Sequence, residues 1–175
     1  LMPGSRQVEI KRHWQVFEQT VKTLQSKHEN LTFVLIEGEN VNINSNLDLI
    51  KAKERQYEAI GVADAAIVCS GTATLETSML RCPMVVCYKL SWATWFFAKA
   101  MSKVKYLSLT NLIAGDEIVE ELLQDKMNAK RLSQSITSLL NPKNKHELLK
   151  KYDKLIMKLK NSENAYDSAA KYIYD

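Results

Sequence analysis

The residues with the clearest chemical use are Ser70-Gly71-Thr72-Ala73-Thr74-Leu75-Glu76, which follow the apolar run Ala65-Ala66-Ile67-Val68-Cys69. An apolar run bounded by Asp64 and Ser70 reads as a strand of a buried parallel sheet, and the residues after it, through Leu80, suit a helix. A strand that turns into a helix through Ser-Gly-Thr presents small residues, hydroxyls and unpaired first-turn amides at the positive end of the helix dipole. That is chemistry for holding a phosphate. Glu76 falls about one and a half turns into the helix, too far in to be a capping-box residue. A carboxylate there would repel a phosphate that faced it, but it could accept hydrogen bonds from the vicinal hydroxyls of a ribose. An ordinary capped strand-to-helix turn is the competing interpretation of this segment alone.

A second turn of the same type tilts the balance. Met2-Pro3-Gly4-Ser5-Arg6 leads into an amphipathic pattern whose apolar positions Ile10, Trp14, Phe17, Val21 and Leu24 recur at four- and three-residue spacing. Gly4 permits close backbone approach, Ser5 can cap a helix, and Arg6 can fork onto two oxygens of a diphosphate. Pro-Gly-Ser alone is common turn punctuation. Two such turns in one α/β unit favour an anionic ligand.

These residues resemble the C-terminal half of lipid-A-disaccharide synthase, a glycosyltransferase family of the two-domain GT-B architecture. The resemblance rests on Leu1 to Arg6, Asp64-Ala65-Ala66, Ser70 to Glu76, and Cys82-Pro83-Met84-Val85-Val86 ending at Tyr88. It continues through Leu109-Thr110-Asn111-Leu112-Ile113-Ala114-Gly115 and Val119-Glu120-Glu121-Leu122-Leu123-Gln124, so it is collinear over most of the chain. Thr110 stands where the family usually carries Pro, and the region from Gly38 to Asn46 is shorter than the strand-helix-strand expected there.

The resemblance implies an inverting transfer of a diacylated glucosamine from its UDP carrier to a diacylated glucosamine 1-phosphate, at the cytoplasmic face of the inner membrane. It implies UDP contacts from Gly4, Ser5, Arg6, Ser70, Gly71, Thr72, Ala73, Thr74 and Glu76. Asn111 and Gln124 would lie near the sugar or phosphates, with a structural hydrogen bond as the alternative role for each. Cationic and amide groups without an Asp-x-Asp motif lead us to expect no metal and no cofactor. The general base is expected in an N-terminal domain preceding Leu1, so this chain alone should bind without turning over. Two rivals stay open on the residues: another UDP-N-acetylglucosamine enzyme of the same fold (peptidoglycan transferase or 2-epimerase type), or a non-enzymatic interaction module.

The elements that must position these turns alternate along the chain. Helix is expected over about 6–28, 54–62, 73–80 and 92–103, and strand over 32–37, 47–51, 65–69, 84–88 and 106–109. Helices then dominate, at roughly 116–124, 129–140, 144–160 and 165–173. This alternation predicts an α/β fold, a doubly wound parallel sheet with extra C-terminal helices and ligand at the carboxyl ends of the strands. At 175 residues, 46% hydrophobic and 25% charged, the chain fits one soluble globular core. We divide it into a UDP-sugar-binding part, 1–142, and helices over 143–175 that would pack back toward the absent domain.

The net charge of +4 concentrates in Lys143, Lys145, Lys150, Lys151, Lys154, Lys158 and Lys160. No nucleic-acid motif accompanies them, so nucleic acid is not an expected partner; a solvated helix face explains most of this charge, and anionic lipid the remainder. Cys69, Cys82 and Cys87 show no C-x-x-C pair and no zinc spacing with His13, His28 or His146, which points to buried, reduced thiols and the cytosol. No run is long and apolar enough for a transmembrane helix. Trp92, Trp95, Phe96 and Phe97, with Met101 and Lys99, Lys103 and Lys105 nearby, form an aromatic helix face of the kind more often found in a core, but so broad a girdle is hard to bury in one small domain. An interfacial membrane contact is the physical alternative to burial. The stripe Leu148, Leu149, Tyr152, Leu155, Ile156 and Leu159 either packs on this domain or meets another chain, as in a homodimer through the C-terminal helices.

Overall fold

The computed structural model describes residues 1–38, 41–91 and 105–162. The aromatic residues Trp92, Trp95, Phe96 and Phe97, the helix expected over 92–103 and the one expected near 165–173 lie outside them.

Helix α1 (Gln7–Gln25) is followed by strands β1 (Val34–Ile36) and β2 (Ile50–Ala52), helix α2 (Gln56–Val62), strand β3 (Ala66–Cys69) and helix α3 (Thr72–Met79). Strand β4 (Met84–Tyr88), helix α4 (Leu109–Ala114) and strand β5 (Glu121–Leu123) follow, then a 3-10 turn (Gln124–Lys126), α5 (Ala129–Leu139) and α6 (Pro142–Ser162). All strand pairs are parallel: β1 with β2, and β3–β4–β5 in that order. Leu1 and Met2 join the two groups. The Ile36 amide donates to the Leu1 carbonyl at 2.9 Å, while the Met2 amide donates to Ile67 and the Cys69 amide to Met2, at 2.9 and 2.8 Å. With those two residues counted as a rudimentary first strand, the sheet reads 3-2-1-4-5-6, the order of a doubly wound dinucleotide-type fold.

Side-chain alternation divides the core. Ile67, Cys69, Val85, Cys87 and Leu122 pack with Phe17, Val21 and Leu24 of α1 and Leu132 and Ile136 of α5. Ala66, Val68, Met84 and Val86 pack on the other face with Ile60 of α2 and Leu148 and Tyr152 of α6. β3 is buried at all four positions because both of its faces are covered. Of the α6 stripe, Leu148, Tyr152 and Leu155 are buried in this body. Lys145–Asp64 and Arg81–Asp153 ion pairs fasten the helix, and the Lys158 ammonium caps the carboxyl end of α4 at the Ile113 carbonyl, 2.6 Å away.

Two expectations fail. The strand expected at 106–109 is instead the entry to α4: the Ser108 hydroxyl accepts from the Asn111 amide at 3.2 Å, and this N-cap outweighs the short apolar alternation. The helix expected over 116–124 is largely replaced by β5, because β4 presents a free edge and Leu122 fills the sheet beside Cys87. Asn111 fixes the extended approach to β5, accepting from the amides of Ile118 and Val119 at 2.9 and 3.0 Å. Elsewhere the elements form where their patterns place them, with ends shifted by up to about three residues, the usual scatter of sequence-read boundaries.

Candidate functional site

In a 3-2-1-4-5-6 sheet the chain diverges to opposite faces after the two central strands, leaving a crevice beyond their carboxyl ends. The central strands here are Leu1–Met2 and β3, and both sequence motifs begin immediately after them. The crevice is a cleft of about 170 Å³ lined by Gly4, Ser5, Ser70, Gly71, Thr72, Ala73 and Glu76, together with Glu9, Glu37, Gly38 and Gln56. Seven of the expected contact residues therefore meet in one place.

The turn at Ser70–Thr72 is built locally. Gly71 is the N-cap of α3, with φ 156° and ψ −165°, a conformation that glycine alone adopts without strain, and no side chain caps the helix. Thr72 and Ala73, the first two residues of α3, line the cleft, and amides at these positions have no intrahelical acceptor; the Thr74 amide turns back to the Gly71 carbonyl at 3.2 Å. The Thr74 hydroxyl turns back to the Gly71 carbonyl at 2.8 Å and is buried, so Thr74 braces the turn and does not line the cleft. Ser70 donates to the Leu107 carbonyl at 3.1 Å. Glu76 sits on the cleft side of α3, partly buried.

The turn at Pro3–Arg6 is built by distant residues. Gly4 has φ 117°, and a Cβ added there would lie 2.9 Å from the Glu9 carboxylate. Gly38, after β1, comes so close that its Cβ would stand 3.2 Å from the Ser5 Cα. Arg6 is the N-cap of α1; its guanidinium reaches Glu9 at 3.4 Å and is 80% exposed, and Arg6 is not among the residues that line the cleft. The Tyr88 hydroxyl donates to Glu9 at 2.9 Å, and burial together with this carboxylate pushes its pKa up to about 12, so the proton stays on the phenol. His13, fully buried, stands between the Pro3 carbonyl and the backbone of Lys89. Burial depresses its pKa below the ordinary value. Glu37 is buried at the end of β1, where burial alone would raise its pKa. The Ile43 amide at 2.7 Å and the Lys51 ammonium at 3.1 Å, with Lys53 nearby, hold it below the usual carboxylate range.

Asn111 and Gln124 are not brought to the cleft. Asn111 is fully buried, its amide nitrogen donating to the Val119 carbonyl and to Glu121 at 2.8 and 2.9 Å while its oxygen takes two backbone amides. Gln124 has φ 52°, and its side chain accepts from the Leu90 amide at 2.7 Å. Both act on backbone in this structure. Sequence reading passed over Glu9, His13, Glu37, Gly38, Gln56 and Tyr88. His13 left a trace: it falls between Ile10 and Phe17 on the buried stripe of α1, where a titratable residue needs partners. Glu37 and Gln56 left no comparable signal, since only the sheet order brings the ends of β1 and β2 to this crevice.

The chain is similar to proteins of one known family. A family model described as lipid-A-disaccharide synthetase matches residues 1–173. The chain is 33% identical over 159 residues to the lipid-A-disaccharide synthase of Blochmanniella pennsylvanica (strain BPEN), covering 86% of this chain and 41% of that protein. It is 35% identical over 150 residues to that of Myxococcus xanthus (strain DK1622), covering 81% and 39%. It is 38% identical over 152 residues to lipid-A-disaccharide synthase 1 of Legionella pneumophila subsp. pneumophila (strain Philadelphia 1), covering 82% and 40%. The chain thus spans about 40% of the length of these curated relatives. A doubly wound parallel sheet, two glycine turns meeting at its switch point and a family match along nearly its whole length lead to one conclusion: this chain belongs to the lipid-A-disaccharide synthetase family.

Proposed function

We propose that this chain is the nucleotide-sugar-binding half of an inverting glycosyltransferase. The reaction moves a diacylated glucosamine from UDP onto a diacylated glucosamine 1-phosphate. The observation that carries the reading is the convergence of the Gly4–Arg6 and Ser70–Ala73 turns on one cleft that also holds Glu76. The amides of both turns suit a diphosphate, and Glu76 suits the ribose hydroxyls. As the glycosidic bond breaks, the diphosphate gains negative charge, so donors aimed at its oxygens lower the barrier more than they tighten substrate binding.

Arg6 has a specific part in this scheme. It is paired with Glu9 and well solvated, so the guanidinium can exchange that weak surface pair for a diphosphate at little cost. Glu9, held by Tyr88, then keeps a carboxylate beside the loop that disfavours any anion not offset by Arg6. The general base belongs to the part of the enzyme outside this chain, which binds without turning over. Residues 1–142 form the UDP-sugar-binding unit. Residues 143–175 serve as the part of the chain that reaches toward the rest of the enzyme or a second copy. Trp92, Trp95, Phe96 and Phe97 hold the protein on the anionic cytoplasmic face of the inner membrane. Among the described residues no helix is long and apolar enough to cross a membrane.

Calorimetric titration with UDP and uridine tests the reading. Loss of a charge-assisted hydrogen bond costs roughly 1.5–3 kcal/mol, about ten- to a hundredfold in affinity. Arg6→Ala should lose that for UDP and little for uridine, whereas Glu76→Ala should weaken both. A folded wild-type chain that fails to bind UDP at millimolar concentration would refute the proposal.

A further inference from the structure

His13 belongs to neither motif, yet it contacts the backbone of two segments that flank the cleft. Nε2 faces both the Lys89 amide nitrogen, at 3.1 Å, and the Lys89 carbonyl, at 3.4 Å; the shorter contact, from a group that can only donate, makes Nε2 the acceptor and puts the ring proton on Nδ1. Nδ1 faces the Pro3 carbonyl at 3.2 Å and donates to it. The Cys69 thiol also donates to that carbonyl, at 3.0 Å, and packs 2.9 Å from Nδ1. The Pro3 carbonyl therefore receives two hydrogen bonds from inside the core. Because the peptide is planar, fixing this carbonyl fixes the opposite edge of the Pro3–Gly4 unit, the Gly4 N–H. That amide is the first donor of the Gly4–Arg6 turn.

We propose that His13 is a positioning residue for nucleotide binding. It sets the Pro3–Gly4 peptide so that the Gly4 amide faces the diphosphate, and it ties this loop to the end of β4 through Lys89. The inference rests on the reading that the diphosphate lies at Gly4–Arg6. The ring is held edge-on by Tyr88, with centroids 5.2 Å apart and planes at 62°, so its tilt is constrained as well as its hydrogen bonds. Tyr88 in turn holds Glu9. One side of the cleft is thus organised from behind by buried Cys69 and His13 and half-buried Tyr88, which come from the ends of β3 and β4 and from the second turn of α1.

Two near-isosteric replacements separate the two halves of the role. In His13→Asn the amide nitrogen can stand in for Nδ1 and keep the donor to Pro3, leaving the Lys89 amide without its acceptor. In His13→Gln the longer amide can reach the Nε2 position and serve Lys89, leaving the Pro3 carbonyl with the thiol alone. Titration of the full chain with UDP and with uridine reads the difference. His13→Gln is expected to weaken UDP about tenfold while changing uridine less than about twofold, and His13→Asn to keep UDP within about threefold of wild type. A merely structural role would lower the melting temperature of both variants and move UDP and uridine together. Folded His13→Gln with wild-type UDP affinity, equal losses for UDP and uridine, or a larger UDP loss in His13→Asn than in His13→Gln would each overturn the assignment. If His13→Gln does not fold, Cys69→Ala, which removes the other donor to Pro3, decides. A severalfold loss confined to UDP supports the proposal, and unchanged UDP affinity overturns it. Failure of the wild-type chain to bind UDP overturns the nucleotide reading and this inference with it. Wild-type binding with an insensitive His13 overturns only the latter.

Discussion

The two turns that meet at the cleft are alike in sequence and unlike in construction. Ser70–Thr74 is held by its own neighbourhood: Gly71 caps α3, and Thr74 bonds back to Gly71. Outside support comes from α4, where the Thr110 hydroxyl donates to the Thr74 carbonyl at 2.8 Å. Pro3–Arg6 is held from behind by His13, Cys69 and Glu9, and at its side by Gly38. A locally built turn keeps its shape wherever its sequence occurs. A turn shaped by remote side chains depends on those side chains, and its motif records little of that dependence. Thr110 is a remote element in this mainly local turn, joining α4 to α3 through its hydroxyl. A proline there would lack no needed donor in the first turn of α4, whereas Thr adds a hydrogen bond to α3.

The largest expected effect lies behind the locally built turn. Asn111→Ala removes a fully buried amide that donates to the Val119 carbonyl and to Glu121, and it strands the buried Val119 amide, while the Ile118 amide keeps its bond to the Asp116 carbonyl. It should cost about 3 kcal/mol or more, since each buried group left unpaired costs roughly 1–3 kcal/mol. Chemical denaturation measures this, and UDP affinity of the folded fraction should be unchanged. A stable variant with lost UDP binding would instead make Asn111 a ligand contact and break the division between facing and supporting residues.

Next in size is the contrast between the glycines. Gly4→Ala meets positive-φ strain and also the Glu9 carboxylate at 2.9 Å, while Gly71→Ala meets strain alone, with nothing within 4 Å. Strain of this kind costs of order 1–3 kcal/mol. Gly4→Ala should therefore be the more destabilising of the two and should lose more UDP affinity. Adding Glu9→Ala should restore part of the loss at Gly4 and none at Gly71. Equal behaviour of the two glycines, with no rescue, would erase the comparison.

The smallest effect is a pH dependence that belongs to the remotely built turn. Burial lowers the pKa of His13 below its ordinary 6.5, so the unfolded chain takes up a proton at a higher pH than the folded one. Between those two values the unfolded state binds more protons, and stability falls as pH falls from 6.5 toward the folded value. Glu37, depressed below its ordinary 4.5, acts in a separate window: its contribution is lost only as pH falls below 4.5. Melting temperature recorded from pH 7.5 to 5 should drop for wild type more than for His13→Asn. Identical profiles would remove His13 from the stability of this loop.

Much of the fold was legible because it rests on local signals. Val68, Val85 and Val86 in short apolar runs mark buried strands, and the spacing from Ile10 to Leu24 marks one helix face. The miss at 116–124 has a physical cause. Val119 to Leu123 carries apolar residues compatible with either period, and its strand exists because the free edge of β4 takes it. The entry to α4 was misread because the Ser108 cap acts through a single hydroxyl, a weaker signal than the run of leucines around it.

The sequence by itself determined the family, the α/β alternation and which residues carry phosphate-type chemistry, because glycine turns, caps and apolar periods are properties of neighbouring residues. Only the tertiary structure decided that Gly4, Ser70 and Glu76 share a cleft with Glu9, Glu37 and Gln56, while Asn111 and Gln124 hold backbone elsewhere. The reason is topological: strand order sets which carboxyl ends meet, and that order follows from long-range pairing of Leu1–Met2 with β1 and β3. The orientation of the Pro3 carbonyl is likewise a tertiary matter, fixed by an imidazole ten residues along and a thiol on another strand.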